Sequence, residues 1–465
     1  MKRIAFFCIP AHGHTNPMLP VAAELVSRGN TVRFYSFNEF KSKIEASGAE
    51  FISCDSYLPK LTKREETELK NVSVTEMTMQ GIRTTLAMDM FLHNEFLSFK
   101  PDVVYTDSVC FWGKLNAWKH GVPMVVSTST FAFNQMSSQY MKNSPKELAD
   151  MIFGLPKISK ELKKLKPYGY HVRSALSLAQ SDNNTDSIVY TSRKFQPYAE
   201  SFFNHYAFVG PSVFSKKEPD KEKARALIYI SLGTVINDRP DFYNRCIEAL
   251  KSLDADIIIS CGNVMDRKAL GVLPDNVQVY PYVDQPDILS RADVFITHCG
   301  MNSVSESLYM ATPLVLYPQT SEQRAVARRT IEIGAGLMLT DDSVQGIRSV
   351  VQKVLNNASY SIAAKACSED FRSCIGTAGA AEFIENAPHF SEGVDVLSEL
   401  NKANGRFQIV YWLSIIIIIS LIGVLISWKY VWIVGVAAGI LSAPIAVSVQ
   451  KKQYASIIKK LKEKN

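Results

Sequence analysis

The sequence predicts an α/β protein with two doubly wound, parallel-sheet domains and a C-terminal membrane hairpin. The first observation is an apolar segment, IAFFCI at 4–9, followed by a loop, a helical pattern and a second strand, TVRFYS, from Thr31. The second is the same alternation of strands and helices, which restarts at Ala226. Buried parallel strands are apolar throughout, and strand–helix–strand repeats are typical of doubly wound sheets. Ligand chemistry is then expected at the carboxyl ends of the strands.

The composition indicates a globular protein with more than one domain. The chain has 465 residues, which is longer than a domain with a single hydrophobic core usually is. Of these residues, 47% are hydrophobic. The net charge of +6 is small and lies partly in the final residues, which argues against a nucleic-acid binder. The eight cysteines are scattered without a C-x-x-C pair, so free thiols in a reducing cytoplasm are expected.

The strand pattern places a linker between the two domains. Residues 210–226 contain proline and many charges but no hydrophobic periodicity, so the domains are expected at 1–209 and 227–390. After the first strand, Asn16 is expected to cap a helix and Pro17 to occupy its first position. Residues 58–100 are more polar and predict a mixture of loops and helices. Further strands are expected at 101–107, 121–127, 188–191, 226–234, 257–261, 277–280, 294–297 and 314–317.

Two uncharged runs near the end of the chain predict a transmembrane hairpin at 407–449. The runs 407–428 and 431–449 are long enough, as helices, to cross a bilayer, and lysines and an arginine flank them. This charge pattern predicts a multi-pass cell-membrane protein whose two α/β domains and basic tail, 450–465, are cytoplasmic. A buried pair of core helices is one alternative. A single span with an interfacial second segment is another, because Pro444 interrupts the second run.

The stretch VFITHCGMNSVSES, 294–307, is typical of an anion-binding strand, turn and helix start. Backbone N–H groups at a helix start bind anions, and the helix dipole supports them. His298, Asn302 and Ser303 would add donors, and Glu306 would accept hydrogen bonds from sugar hydroxyls. The stretch therefore predicts a cradle for a diphosphate attached to a ribose. Alternatively, Asn302 and Ser303 only cap the helix and His298 is a turn residue.

His14 and Asp107 are the candidate residues for proton transfer. His14 follows the first strand and Asp107 ends another strand, so both are expected at the ligand-binding edge of one sheet. An imidazole with an ordinary pKa near 6.5 suits a general base at neutral pH. A neighbouring carboxylate would fix its tautomer and stabilise the imidazolium. The alternative is a histidine that only satisfies a turn.

No metal site or resident cofactor is predicted. The triplet Asp254-Ala255-Asp256 has the D-x-D form of some metal-dependent transferases. It precedes a predicted strand rather than following one, and no partner ligands are evident in the sequence.

These motifs resemble those of inverting, nucleotide-sugar-dependent glycosyltransferases of the GT-B fold, in particular the bacterial macrolide and flavonoid branch. The segment 297–306 is similar to T-H-G-G-M-N-S-x-x-E, and 11–17 is similar to A-H-G-H-x-N-P. The resemblance covers about 1–390 and implies two Rossmann-like domains, with a last helix that crosses back onto the first. Cys299 stands where the family usually has glycine, and its side chain is expected to crowd the backbone that approaches phosphate.

The resemblance also implies roles for the matching residues. It implies that His14 is the catalytic base and that Asp107 supports it. It implies that Tyr282 stacks on uracil, that Val283 reads the edge of the base, and that Glu322 and Gln323 contact the donor sugar. The remaining donor-site residues implied by the matching motifs are Ser231, Gly233, Thr234, Gln285, His298, Gly300, Met301, Asn302, Ser303 and Glu306.

The sequence as a whole predicts a metal-independent, UDP-sugar-dependent hexosyltransferase. Its expected reaction transfers glucose, with inversion, from the UDP-sugar co-substrate to a hydroxyl of a lipophilic acceptor at the membrane. Two alternatives remain at this point. One is a non-catalytic membrane protein that binds nucleotide-sugar, and the other is a UDP-sugar epimerase of the same two-domain architecture.

Overall fold

A computed structural model describes most of the chain up to His389. One compact unit, Met1–Pro197 together with Tyr206–His389, contains both sheets. The described residues are 1–60, 62, 73–134, 136–141, 144–172, 185–213, 219–220, 225–234, 237–263 and 265–389.

Within the described residues, seven parallel strands form the first sheet, in the order β3-β2-β1-β4-β5-β6-β7. The order reverses between β1 and β4, and this reversal opens a crevice at the carboxyl ends of these two strands. Ile4 to Phe7 of β1 are buried, as expected for an apolar strand at the centre of a parallel sheet. The strands are β1 Arg3–Phe7, β2 Thr31–Ser36, β3 Glu50–Ser53, β4 Val103–Asp107, β5 Met124–Thr128, β6 Asp186–Val189 and β7 Tyr206–Phe208.

The helices of this half include one long element that the sequence only partly indicated. The polar stretch 58–100 contains the helix α3, which begins after a Ser73 cap that accepts a hydrogen bond from the backbone of Glu76. Its buried positions include polar residues as well as apolar ones, among them Glu76, Thr84 and Thr85, which obscures the helical pattern in the sequence. The helices are α1 His12–Ser27, α2 Lys41–Ala46, α3 Val74–Phe99, α4 Phe111–His120 and α5 Pro145–Lys163.

The start of α1 differs from the prediction. The helix begins at His12, so Asn16 does not cap it and Pro17 and Pro20 lie inside it. A proline has no N–H and its ring crowds the carbonyl four residues earlier. The carbonyls of Gly13 and Asn16 therefore lack the hydrogen bond that a regular helix would give them. This irregular first part of the helix is the segment that carries His14.

The second sheet repeats the topology of the first. Within the described residues its order is β10-β9-β8-β11-β12-β13, all parallel, and the order reverses between β8 and β11. The sequence pattern missed β13, as it missed β3 and β7, because each of these edge strands is short. The strands are β8 Ala226–Ser231, β9 Ala255–Ser260, β10 Val277–Tyr280, β11 Val294–Thr297, β12 Leu314–Leu316 and β13 Gly336–Met338.

The helices of the second half cover both faces of this sheet, and the last one leaves it. The helix α12 packs against α1 of the first half. Ala380, Ala381 and Ile384 of α12 are buried in the same hydrophobic core as the first sheet. The helices are α6 Pro240–Leu250, α7 Gln285–Arg291, α8 Met301–Tyr309, α9 Ser321–Glu332, α10 Val344–Leu355, α11 Ala358–Arg372 and α12 Gly376–Glu385. The domain boundaries 1–209, 210–226 and 227–390 stay a prediction.

The predicted transmembrane hairpin requires a correction. Among the described residues, no helix has both the length and the apolar composition needed to cross a bilayer. The 26-residue α3 has the length, but it carries Glu76, Arg83 and Asp89. The prediction of a multi-pass membrane protein with a hairpin at 407–449 is therefore wrong for the fold described, and the fold class is the two-sheet α/β architecture. The hairpin and the basic tail 450–465 themselves lie outside the described residues.

Candidate functional site

His14 and Asp107 meet at the crevice of the first sheet. Phe7 of β1 pairs with Thr106 of β4, so the segments that follow these two residues begin side by side. The imidazole Nδ1 of His14 lies 2.7 Å from Oδ2 of Asp107, whose side chain is completely buried. The other oxygen of this carboxylate, Oδ1, accepts a hydrogen bond of 3.0 Å from the backbone N–H of Val109. The hydroxyl of Ser129, which directly follows β5, lies 3.2 Å from the same Nδ1. The carboxylate is thus fixed from two sides and orients the imidazole.

The surroundings of His14 raise its pKa above the ordinary value of 6.5. Burial lowers the pKa, but the negative charge of Asp107, its hydrogen bond and the charge of Glu322 together raise it by more. With Nδ1 bonded to Asp107, Nε2 is the nitrogen of the ring that can take a proton from another molecule. Glu322 belongs to the second half of the chain, so part of this pKa shift comes from a charge on the opposite half-site.

The loops after β8 and β11 form the opposite half-site, at the crevice of the second sheet. Ser231 pairs with Thr297, which places the turn with Gly233 beside the turn with His298. A Cβ on Gly233 would lie 2.5 Å from the imidazole of His298, and one on Gly300 would lie 2.6 Å from it. The ring therefore lies between two glycines, and Gly233 also has the left-handed φ of +77° that glycine adopts without strain.

His298 is neutral in this setting. Burial lowers its pKa to about 4, and a hydrogen bond with the backbone of Ser231 opposes this shift only in part. A neutral imidazole between two glycines and beside the start of α8 donates a hydrogen bond without bringing a titrating charge. This arrangement suits a phosphate, whose charge the helix start already favours.

The structure corrects the expectation that Cys299 crowds the phosphate-binding backbone. Its side chain is fully buried and packs in the hydrophobic core between the second sheet and its helices. The backbone at Cys299 has a φ of +66°, a left-handed value that is unusual for a residue with a side chain. This backbone conformation turns the Cβ towards the core and away from the helix start.

The side chains behind the cradle form a hydrogen-bonded group. The Gln285 amide nitrogen donates to Glu306 Oε2 at 2.6 Å and to Ser303 Oγ at 3.4 Å, and Tyr229 donates to the amide oxygen at 3.1 Å. Burial raises the pKa of Glu306 to about 7, and the hydrogen bond from Gln285 opposes that shift. A carboxyl group whose pKa is raised in this way accepts hydrogen bonds from a diol when ionised and donates one when protonated.

The other predicted donor-site residues occupy varied environments. Tyr282 is 76% exposed, so its ring has a free face. Ser231 is buried and its hydroxyl accepts from the N–H of Gly233, while Thr234 is exposed. Val283 packs against the hydrophobic core and fixes the backbone beside Tyr282. Met301, the first residue of α8, is buried below the cradle.

Gln323 has a structural role besides the predicted contact with the donor sugar. Its side-chain oxygen accepts from the backbone N–H groups of Gln319 and Thr320, while the Thr320 hydroxyl accepts from the N–H of Gln323. This reciprocal pair is a capping box at the start of α9. The pattern Thr-x-x-Gln was visible in the sequence and would have predicted it. Glu322, the residue before Gln323 in the first turn of α9, is partly exposed, and its negative charge helps to raise the pKa of His14.

Glu147, in a segment that the sequence left unassigned, joins the two half-sites. Its Oε1 accepts from the N–H of Ser321 at 3.2 Å and its Oε2 from the Arg324 guanidinium at 3.0 Å. Burial raises the pKa of Glu147, but hydrogen bonds from Ser144 and Ser321 lower it by more, so the carboxylate stays ionised. The helix α5 of the first half thus contacts the start of α9, beside Glu322.

Asn302 makes a second contact between the halves. Its Nδ2 donates a hydrogen bond of 2.9 Å to the backbone carbonyl of Gly13, next to His14. The sequence placed Asn302 in the phosphate cradle or, alternatively, in the helix cap, and did not predict this contact.

The D-x-D triplet has partners of its own. Asp254 and Asp256 each lie 2.9 Å from the guanidinium of Arg225, on the protein surface. In the part of the chain that the structure describes, no cluster of three or more histidine, cysteine, aspartate or glutamate side chains is arranged to bind a metal ion.

Two doubly wound sheets, with a histidine–aspartate pair at one crevice and a glycine-flanked histidine at a helix start in the other, are the architecture of GT-B glycosyltransferases. Residues 244–376 match the family model described as "Erythromycin biosynthesis protein CIII-like, C-terminal domain". The solved structure of CalG4, the calicheamicin glycosyltransferase, superimposes with a TM-score of 0.68 and 25% identity, covering 83% of this chain and 100% of that one.

The similarity to curated sequences is higher. The chain is 31% identical over 402 residues to YojK of Bacillus subtilis, an uncharacterized UDP-glucosyltransferase, with 83% of this chain and 98% of YojK covered. It is 33% identical over 361 residues to the NDP-glycosyltransferase YjiC of Bacillus licheniformis, with 76% and 89% covered. The chain therefore belongs to the family of bacterial UDP-sugar-dependent glycosyltransferases of the macrolide and flavonoid type, and it is a glycosyltransferase.

Proposed function

We propose that this enzyme transfers glucose from UDP-glucose to a hydroxyl of a lipophilic small molecule, with inversion at the anomeric carbon. The observation that carries the proposal is the 2.7 Å contact between His14 and the buried Asp107, opposite the His298 cradle. The relative YojK is named a UDP-glucosyltransferase, which favours glucose as the sugar. CalG4 is named for calicheamicin, which favours a small-molecule acceptor.

His14 acts in this proposal as the general base. Asp107 accepts the Nδ1–H of the imidazole, so Nε2 presents its lone pair to the acceptor hydroxyl. The hydroxyl oxygen forms a bond to the anomeric carbon while its proton moves to Nε2. The bond between that carbon and the diphosphate oxygen breaks, and its electron pair leaves with UDP. Attack from the side opposite to UDP inverts the anomeric configuration. Asp107 stabilises the imidazolium that forms.

The second half-site stabilises the leaving group. The diphosphate gains negative charge as the sugar departs, and the start of α8 with His298, Ser303 and Thr234 donates hydrogen bonds to it. These donors are neutral and fixed by the fold before the reaction, so the proposal requires no divalent ion. The remaining residues recognise the rest of the donor: Tyr282 stacks on the uracil, Glu306 and Gln285 bind the ribose, and Glu322 binds the sugar hydroxyls.

The test replaces the base and follows transfer and binding separately. His14→Ala should lower the rate of glucose transfer to a phenolic acceptor by about 10²- to 10⁴-fold. Calorimetry should show UDP affinity unchanged, because His14 belongs to the other half-site. His12→Ala is the matched control, since His12 lies in the same motif but pairs with Glu39 at 2.8 Å. It should keep wild-type transfer.

The same experiment separates the alternatives. Full transfer by His14→Ala would contradict the proposed base. Binding of UDP without any transfer by the wild type would favour a non-catalytic binding protein, and an epimerised nucleotide-sugar formed without acceptor would favour an epimerase. Proton NMR of the first-formed product reports the anomeric configuration, and retention would contradict the displacement.

A further inference from the structure

Asn302 contacts the helix that carries the proposed base. Its Nδ2 lies 2.9 Å from the carbonyl oxygen of Gly13, although the two residues are 289 positions apart in the chain. Asn302 lies in the first turn of α8, on the donor side, and Gly13 precedes His14 on the other. A side chain predicted to bind phosphate is therefore already hydrogen-bonded across the crevice.

Pro17 explains why the Gly13 carbonyl is available for this contact. In a regular helix the N–H of residue 17 would donate to the carbonyl of residue 13. Proline has no N–H, and its ring pushes that carbonyl outward from the helix axis. The position of Pro17 inside α1 thus leaves an oriented acceptor at the surface of the first turn. The Asn302 amide supplies the donor that the proline cannot.

The amide of Asn302 has the capacity for two partners. A primary amide nitrogen carries two N–H groups, and Gly13 takes one of them. The second N–H is left for a group in the cradle at the start of α8. Asn302 is therefore suited to hold a diphosphate oxygen and the backbone beside His14 at the same time.

We propose that Asn302 is a positioning residue for the base: through the Gly13 carbonyl that Pro17 exposes, it couples the donor diphosphate to the placement of His14. The proposal rests on the proposed function and deepens it. Asn302 then affects proton transfer as well as donor binding, and Pro17 affects proton transfer without contacting either substrate.

The decisive variant is Pro17→Ala, which restores the N–H that competes for the Gly13 carbonyl. Turnover at saturating UDP-glucose should fall about fivefold, the effect of one hydrogen bond, while the affinity for UDP stays within twofold of wild type. Pro20→Ala is the matched control, because it makes the same change one turn later in α1. It should keep wild-type turnover.

A double variant shows whether Pro17 and Asn302 act through one contact. Asn302→Ala should lower both UDP affinity and turnover. Adding Pro17→Ala to it should lower turnover no further, because the contact is already lost. The inference is overturned if Pro17→Ala and Pro20→Ala reduce turnover equally, or if Pro17→Ala has the same effect with and without Asn302.

Hydrogen exchange provides a readout that does not depend on turnover. Saturating UDP should slow amide exchange over 12–18 in the wild type and not in Pro17→Ala, whereas Pro20→Ala should resemble the wild type. Equal protection in all three proteins contradicts the coupling. If the wild type shows the expected protection on UDP binding but transfers no sugar, the coupling between Asn302 and the His14 segment is supported and the proposed function is rejected. Failure of the coupling and failure of the proposed function therefore give different results.

Discussion

The two half-sites lie at equivalent positions of their sheets, yet they use opposite electrostatics. At the first crevice a buried carboxylate faces His14 and raises its pKa; at the second, burial lowers the pKa of His298 to about 4. The first histidine is poised to gain a proton and the second is held neutral. The same side chain thus serves as a base or as a neutral donor, according to whether a carboxylate or a pair of glycines surrounds it.

Replacing the Asp107 carboxylate should have the largest effect on catalysis, because it removes the charge that distinguishes the first half-site from the second. Asp107→Asn should lower the plateau of kcat/KM by about 100-fold or more, because the imidazolium loses its counter-charge. The base acts when neutral, so activity rises as pH increases through the pKa of His14. Asp107 raises that pKa, and its loss should therefore move the acid limb to lower pH. A pH–rate series for both proteins measures this shift.

Donor binding provides the control within the same pH series. Because the pKa of His298 is about 4, its protonation should not change the affinity for UDP-glucose above about pH 5.5. The pKa of Glu306 is about 7, so a change in affinity near pH 7 is expected from Glu306, and it should be the same in the wild type and in Asp107→Asn. An unchanged acid limb in Asp107→Asn would contradict the assignment of His14 as the titrating base.

Crowding the imidazole of His298 should have a smaller effect, and this effect should be on the binding of UDP at the second half-site. In Gly233→Ala the new methyl group would lie 2.5 Å from the imidazole, at a residue with a φ of +77°. We expect the affinity for UDP to fall about tenfold, through displaced hydrogen-bond donors, as measured by calorimetry. The pH dependence of transfer should stay as in the wild type.

Gly271→Ala is the matched control for backbone strain. Gly271 also has a positive φ, of +66°, but nothing lies within 4 Å of its Cβ position. Its variant should lose stability by about 1 kcal/mol and keep wild-type UDP affinity. Equal affinity losses in both variants would show that strain, rather than the contact with His298, causes the effect.

The smallest effect is expected at Cys299. Because its side chain lies in the core, Cys299→Ala should lower the free energy of unfolding by about 1 kcal/mol and leave UDP affinity within twofold of wild type. Chemical denaturation and calorimetry measure the two quantities. A large gain in UDP affinity on removal of the thiol would instead support crowding of the phosphate site.

The sequence predicted the pairing of His14 with Asp107 because both follow strands whose carboxyl ends meet in a parallel sheet. It did not predict the contacts of Asn302 with Gly13 or of Glu147 with Arg324. Those depend on how the two halves face each other, which no local pattern encodes. The early start of α1 was missed because proline is usually a signal of the first helical turn. Here two prolines lie inside the helix.

The path of α12 decides how this enzyme can be divided. Ala380, Ala381 and Ile384 complete the core of the first half, although they follow the second sheet in the sequence. A fragment that stops at the linker would expose part of that core to water. Chimeras that exchange acceptor halves between relatives therefore need to carry residues 376–389 from the same parent as the N-terminal half.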